Sequence, residues 1–87
     1  MLAQLKGLEN LDLHQTAITD SGLKILENHP TLEELDLMDT QISDAGLASL
    51  ARMPKLRYLD LEGTRITPEG GRRFAKARPE VDLSVDF

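Results

Sequence analysis

Leucines recur along this chain in a pattern that repeats every 24 residues. Leu8, Leu32 and Leu56 each open a copy of Leu-x-x-Leu-Asp-Leu, which ends at Leu13, Leu37 and Leu61. Thr16, Thr40 and Thr64 follow, then Ile18, Ile42 and Ile66, then Gly22, Gly46 and Gly70. Pro30 and Pro54 close the first two copies, and Pro79 closes the third one position late. Within each copy the apolar period changes. Leu11 and Leu13 alternate with Asn10, Asp12 and His14, which predicts a short strand with one buried face. After the Thr-x-Ile turn the spacing becomes helical: Leu23 with Leu26, and Leu47 with Leu50, form an i, i+3 stripe. Thr19, Ser43 and Thr67 stand at predicted N-caps, and Asp20, Asp44 and Pro68 at the first helical position, where an acid or a proline suits the free amides. In the third copy Gly71 and Phe74 take the stripe positions, so one large side chain is expected to fill space left by glycine.

A strand, a turn and a helix of this size cannot bury their apolar faces alone, but stacked copies can. Strands then add side by side into a parallel sheet, with helices on the opposite face. Gly22, Gly46 and Gly70 fall in the first helical turn, where a missing side chain is expected to let helix approach sheet. Strands pack about 4.8 Å apart and helices about 10 Å, so the stack should curve with the strands inward. The motif Leu-x-x-Leu-Asp-Leu-x-x-Thr-x-Ile-[Thr/Ser]-[Asp/Pro]-x-Gly-[Leu/Gly], from about Leu8 to Pro79, resembles the leucine-rich repeats. It is most similar to their helix-bearing bacterial subtype, with Thr where other subtypes carry Asn. The resemblance implies an α/β solenoid, a short horseshoe segment with a parallel sheet on its concave face and helices on its convex face. It also implies a protein-interaction scaffold whose strand face binds partners.

The expected organisation is the end of a preceding partial repeat at residues 1–7, repeats at 8–31, 32–55 and 56–80, and a closing strand at 81–87. Leu2 aligns with Leu26 and Leu50, so the chain is expected to begin inside a helix with a slice of core uncovered. That end points either to a fragment of a longer repeat protein or to self-association through the N-terminal face. Val81, Leu83, Val85 and Phe87 alternate with Asp82, Ser84 and Asp86, a final half-buried strand.

Composition narrows the chemistry. With 87 residues there is room for one small domain. Cysteine is absent, which removes disulfides, thiolate metal sites and cysteine nucleophiles. No run approaches the ~20 apolar residues of a membrane span, and no secretory leader follows Met1; neither a membrane partner nor a compartment is indicated, beyond a leaning to the cytoplasm. Ten Lys and Arg against 15 Asp and Glu give a net charge of −5, which argues against nucleic acid as a partner. The charge is uneven: residues 1–40 carry −6 and residues 41–87 carry +1. Arg72, Arg73, Lys76 and Arg78 cluster in and after the last helix, where cations suit the dipole as a solvated cap; without interleaved aromatics a phosphate or nucleic-acid patch is the weaker reading.

Strand alternation puts Asn10, Asp12, His14, Glu34, Asp36, Met38, Asp39, Tyr58, Asp60 and Glu62 on the open face as candidate partner-binding residues. Asp12, Asp36 and Asp60 should form a row with neighbours about 5 Å apart, and like charges so placed repel by about 1 kcal/mol per pair in water. A basic partner would relieve that repulsion; alternatively the same aspartates bond to neighbouring turns as part of the repeat's own design. Asn10, Glu34 and Tyr58 form a second row, and His14, Met38 and Glu62 a third. Tyr58, the single tyrosine, suits an interface anchor, or else packs on Met38 or Arg57 as surface cover.

Thr16, Thr40 and Thr64 are expected to bond backbone amides at the strand exits and not to act as nucleophiles. His14 and His29 have no His-x-x-x-His or Glu-x-x-His spacing, no calcium loop is present, and Gly70-Gly71 does not continue as a phosphate loop, so neither metal nor cofactor is expected. Nothing activates a nucleophile, and the chain is not read as an enzyme. The expected function is a protein-interaction module that binds through its acidic strand face. Two alternatives stay open: an accessory or substrate-recruiting segment of a larger enzyme, such as a kinase or ubiquitin-ligase component, and a purely structural solenoid cap.

Overall fold

Leu35 and Leu59 lie fully buried in mid-strand while their neighbours face outward, the outcome that the period-two alternation requires. The computed structural model describes residues 7–85. Its strands are β1 (Asn10–Asp12), β2 (Glu34–Asp36), β3 (Tyr58–Asp60) and β4 (Asp82–Ser84), and they form one parallel sheet in sequence order. The register follows the repeat: Leu11 pairs with Leu35, Leu35 with Leu59, and Leu59 with Leu83. Equivalent main-chain bonds tie each copy to the next beyond the strands. The Leu13 amide donates to the Asp36 carbonyl at 2.8 Å, Leu37 to Asp60 at 2.9 Å, and Leu61 to Ser84 at 2.7 Å.

The helical halves differ between copies more than the alternation of leucines predicts. The first copy forms only a 3-10 helix, Gly22–Leu26. The second runs from a 3-10 turn, Asp44–Gly46, into the four-residue helix α1 (Leu47–Leu50), and the third forms the ten-residue helix α2 (Pro68–Ala77). Propensity accounts for the order. The first copy offers β-branched Ile25 and then Asn28 in a left-handed conformation (φ 64°), the second has Ala45, Ala48 and Ala51, and the third has Arg, Ala and Lys with no proline between Pro68, at the helix start, and Pro79.

Between sheet and helices lies an aliphatic core. Leu23, Leu26, Leu32, Leu37, Ile42, Leu50, Met53, Leu56 and Leu61 are sealed from water, and Phe74 is buried beside Gly71 in the third copy, as its stripe position requires. His29 is a buried polar residue that the motif did not single out. Its Nδ1 accepts the amides of Leu32 at 3.1 Å and Thr31 at 3.3 Å, so the ring organises the chain around Pro30 on its way to β2. Among the described residues no buried side-chain nitrogen or oxygen lacks a partner.

The expected N-cap at Ser43 is not formed. Its hydroxyl donates to Asp20 Oδ2 at 2.6 Å, and its amide donates to Asp20 Oδ1 at 2.9 Å. Asp44 holds Thr67 in the same way, at 2.6 Å through the hydroxyl and 2.9 Å through the amide. Thr67 caps α2 as expected, accepting the Gly70 amide at 3.0 Å. Thr19 accepts the Gly22 amide at 3.3 Å, but the 3-10 helix starts at Gly22 with Ser21 before it, so Thr19 is not its N-cap. Asp20 and Asp44 therefore work as clamps from one copy to the next.

Gly46 and Gly70 make room for these clamps, whereas a Cβ on Gly22 would meet only side-chain atoms of Ile18 and Thr19. A Cβ on Gly46 would stand 2.6 Å from Asp20 Oδ1, and one on Gly70 would overlap the Asp44 carboxylate. The alignment of residues 1–7 with a repeat tail, and Asp86 and Phe87 of the closing strand, fall outside the described residues, save Gly7.

Candidate functional site

The open side of the sheet carries the side chains that the leucines exclude. Across the four strands the register sets Asn10, Glu34, Tyr58 and Asp82 in one row and Asp12, Asp36, Asp60 and Ser84 in the next. His14, Met38 and Glu62 follow at the strand exits. All ten candidates lie along this face or at its rim, and Asp82 and Ser84 of β4 extend it. Asp39 stands just beyond the strand, at a left-handed position (φ 59°) that Gln15 (φ 57°) and Gly63 (φ 73°) share at the same interval.

Each aspartate of the central row accepts an amide two residues on. Asp12 Oδ1 takes His14 at 3.0 Å, Asp36 Oδ1 takes Met38 at 2.9 Å, and Asp60 Oδ1 takes Glu62 at 3.0 Å. These Asx turns end the strands identically in every copy, so the architectural role weighed for the row is real. One oxygen of each carboxylate is thereby engaged, and the negative charge remains on the face. At the next step the threonine hydroxyls donate to the carbonyls of Leu13 (2.7 Å), Leu37 (2.8 Å) and Leu61 (2.6 Å). The expected bond to an amide is the lesser one: Thr16 and Thr64 accept from Ile18 and Ile66 at 3.5 and 3.4 Å.

Burial and neighbouring charge tune this face unevenly. Burial raises the Asp60 pKa, and Asp36, Glu62 and Asp39 push the same way against the Glu62 amide bond, which lowers it. Tyr58 is half-buried, and its phenol is likewise raised, first by burial and then by Asp60, Asp36, Asp82 and Glu62. At the β1 edge the His14 ring bonds Asp12; the bond raises the histidine and lowers the aspartate. Glu62 accepts the Ser84 hydroxyl at 2.6 Å.

Asp12, His14 and Asp36 offer three ligand atoms within 4.8 Å of one another, the one such group among the described residues. His14 Nδ1 and Asp12 Oδ1 already satisfy each other, so an ion there would have to replace that pair. The basic cluster at the other end is partly committed as well. Arg78 donates to the Ala51 carbonyl at 2.8 Å and to Glu80 at 2.5 Å, and Arg73 pairs with Glu69 at 3.1 Å. Arg78 thus ties the end of α2 to the end of α1.

The leucine rich repeat family model matches residues 5–66, the stretch that holds the in-register leucines of β1, β2 and β3. The chain belongs to the leucine-rich repeat family. Leucine-rich repeats in general mediate protein–protein interaction and are typically not enzymes. The curated proteins contain no match to this leucine-rich repeat chain. No helix among the described residues is long and apolar enough to cross a membrane. Sequence reasoning missed the Asp20 and Asp44 clamps, the seat of His29 and the place of Asp82 on the face. For Asp82 the signal was present, since it alternates with Val81 and Leu83 as Tyr58 alternates with Arg57 and Leu59.

Proposed function

We propose that this leucine-rich repeat segment is a binding module whose acidic strand face receives a basic surface of a protein partner. Asn10, Asp12, His14, Glu34, Asp36, Met38, Asp39, Tyr58, Asp60 and Glu62 are the contact residues in this reading, within units at 8–31, 32–55 and 56–80 and a closing strand at 81–87. The observation that carries it is the row of Asp12, Asp36 and Asp60 in direct register on neighbouring strands, flanked by Glu34, Tyr58 and Glu62. Parallel strands set these carboxylates about 5 Å apart, where they repel in the free protein, and a cationic partner removes that repulsion. The face is also ordered before binding, because Asx turns and inter-copy bonds hold it, so little side-chain freedom is lost on association. Self-association through the N-terminal end depends on residues 1–6, which lie outside those described.

The test is a selection of peptides from a random display library on the wild-type chain, with each binder measured again on Asp36→Lys/Tyr58→Ala. Binders should be rich in Arg and Lys and should lose at least about tenfold in affinity on the variant, or 1.4 kcal/mol. Binders that hold both proteins equally, or that carry no excess of basic residues, would count against the strand face.

A further inference from the structure

Not every carboxylate on the strand face is equally available. Asp12, Asp36 and Asp60 accept turn amides, Glu62 accepts Ser84, Glu33 pairs with Arg57 at 3.4 Å, and Glu80 pairs with Arg78. Glu34 and Asp82 differ: among the described residues neither carboxylate has a hydrogen-bond or ion-pair partner. These two flank Tyr58 directly, since Glu34 pairs in register with Tyr58 and Tyr58 with Asp82. The three border a recess of about 490 Å³, whose other lining residues are Glu33, Arg57 and Glu80. The Tyr58 hydroxyl, too, bonds to no described residue.

We infer that Tyr58, Glu34 and Asp82 form a receptor for one arginine side chain of the partner. This deepens the strand-face reading and rests on it. A guanidinium is planar and keeps its charge at any physiological pH. It can lie on the phenol ring, whose face attracts cations, while its fork of N–H donors reaches a carboxylate on either side. Neighbouring strands are about 4.8 Å apart, which brings both carboxylates within reach of a group seated on the central ring. Lysine fits less well, because a compact ammonium cannot stack on the ring and fork to two acids together. Arg57, the recess's own cation, is paired with Glu33.

The full chain is titrated with N-acetyl-arginine methylamide and watched by NMR. Tyr58 is the only tyrosine, so its ring signals are unambiguous. The lysine and citrulline analogues run in parallel; citrulline matches arginine in shape without its charge. Arginine amide should shift the Tyr58 ring and the Leu59 and Asp82 amides saturably, with lysine weaker and citrulline inert. Glu34→Gln/Asp82→Asn, which alters two exposed side chains and leaves the folded amide spectrum in place, should weaken arginine binding about tenfold. Equal shifts with citrulline, no saturable shift with arginine, or undiminished binding to the double variant would each overturn the receptor. The selected peptides separate this result from the broader reading. If they lose affinity on Asp36→Lys/Tyr58→Ala but bind Glu34→Gln/Asp82→Asn normally, the arginine receptor fails and the acidic face survives. If neither variant weakens them, both readings fall.

Discussion

Asp60 sits where architecture and electrostatics pull in opposite directions. Its Oδ1 must accept the Glu62 amide to end the strand, yet its charge is held among Asp36, Glu62 and Asp39 in a half-buried setting. Its folded pKa is raised, so between the ordinary 3.8 and that higher value the folded state binds more protons than the unfolded state. Stability contributed by this group is therefore lost as pH climbs through that window. Asp60→Asn keeps the acceptor and removes the charge. Urea melts should show the variant more stable than wild type at pH 7 by about 0.5 kcal/mol. The gain should vanish below the ordinary carboxylate value, where Asp60 is neutral in both states.

His14 shifts in the same direction for a different reason: its bond to Asp12 raises its pKa, so the pair's contribution is complete below the unfolded value and fades as pH rises through the folded one. An NMR titration should put its midpoint above the ordinary 6.5, and Asp12→Asn should bring it down. A wild-type midpoint at or below the ordinary value would show that the ring does not engage Asp12.

At the scale of elements, the copies are joined by more than buried leucine. Asp20 and Asp44 each take a hydroxyl and an amide from the copy ahead, and Gly46 and Gly70 leave the space that these carboxylates occupy. Pro68 stands at the equivalent place in the third copy, so the clamp series ends there. The Thr67 hydroxyl bond holds the Asp44 carboxyl below its usual range, and this contribution is present at neutral pH and lost as pH falls through the lowered value.

Asp44→Ala and Gly70→Ala should each cost about 1–2 kcal/mol. In the Asp44→Ala background the added methyl meets no carboxylate, so the double variant should fall short of the summed costs by about 0.5–1 kcal/mol. Gly22→Ala, whose Cβ would meet only Ile18 and Thr19 side-chain atoms at 3.1 Å or more, should stay within about 0.5 kcal/mol of wild type. Denaturation of the four variants checks this, and fully additive costs at Asp44 and Gly70 would separate the glycine from the clamp.

Across the whole molecule, what could be read from the chain is what repeats locally. Leu35 and Leu59 are sealed because alternation leaves them one buried side, and the strand register is the repeat interval itself. The rows on the open face follow from that register. What escaped was non-local or composed of small local differences. Asp20 makes sense as an acid at a helix start, and nothing within its own copy reveals that its partner is Ser43 in the next. The first copy has leucines at the helical spacing of the second, and only its poorer helix formers turn it into a 3-10 segment. No motif spacing marks His29, yet its ring takes amides from the chain just beyond Pro30. Asp82 was legible from its alternation with Val81 and Leu83, and the pairing of β4 with β3 sets it beside Tyr58.

The face and the opposite side also differ in kind, since the groove between α1 and α2 is lined largely by Leu47, Ala48, Ala51, Phe74 and Ala77 and not by a row of acids. The most direct measurement of the central claim is NMR shift mapping of a basic peptide selected on the wild-type chain. Amides of Glu34, Asp36, Tyr58 and Asp60 should move, and those of Ala48, Ala51, Phe74 and Ala77 should stay. Shifts centred on the helix groove, with the strand amides still, would contradict the account.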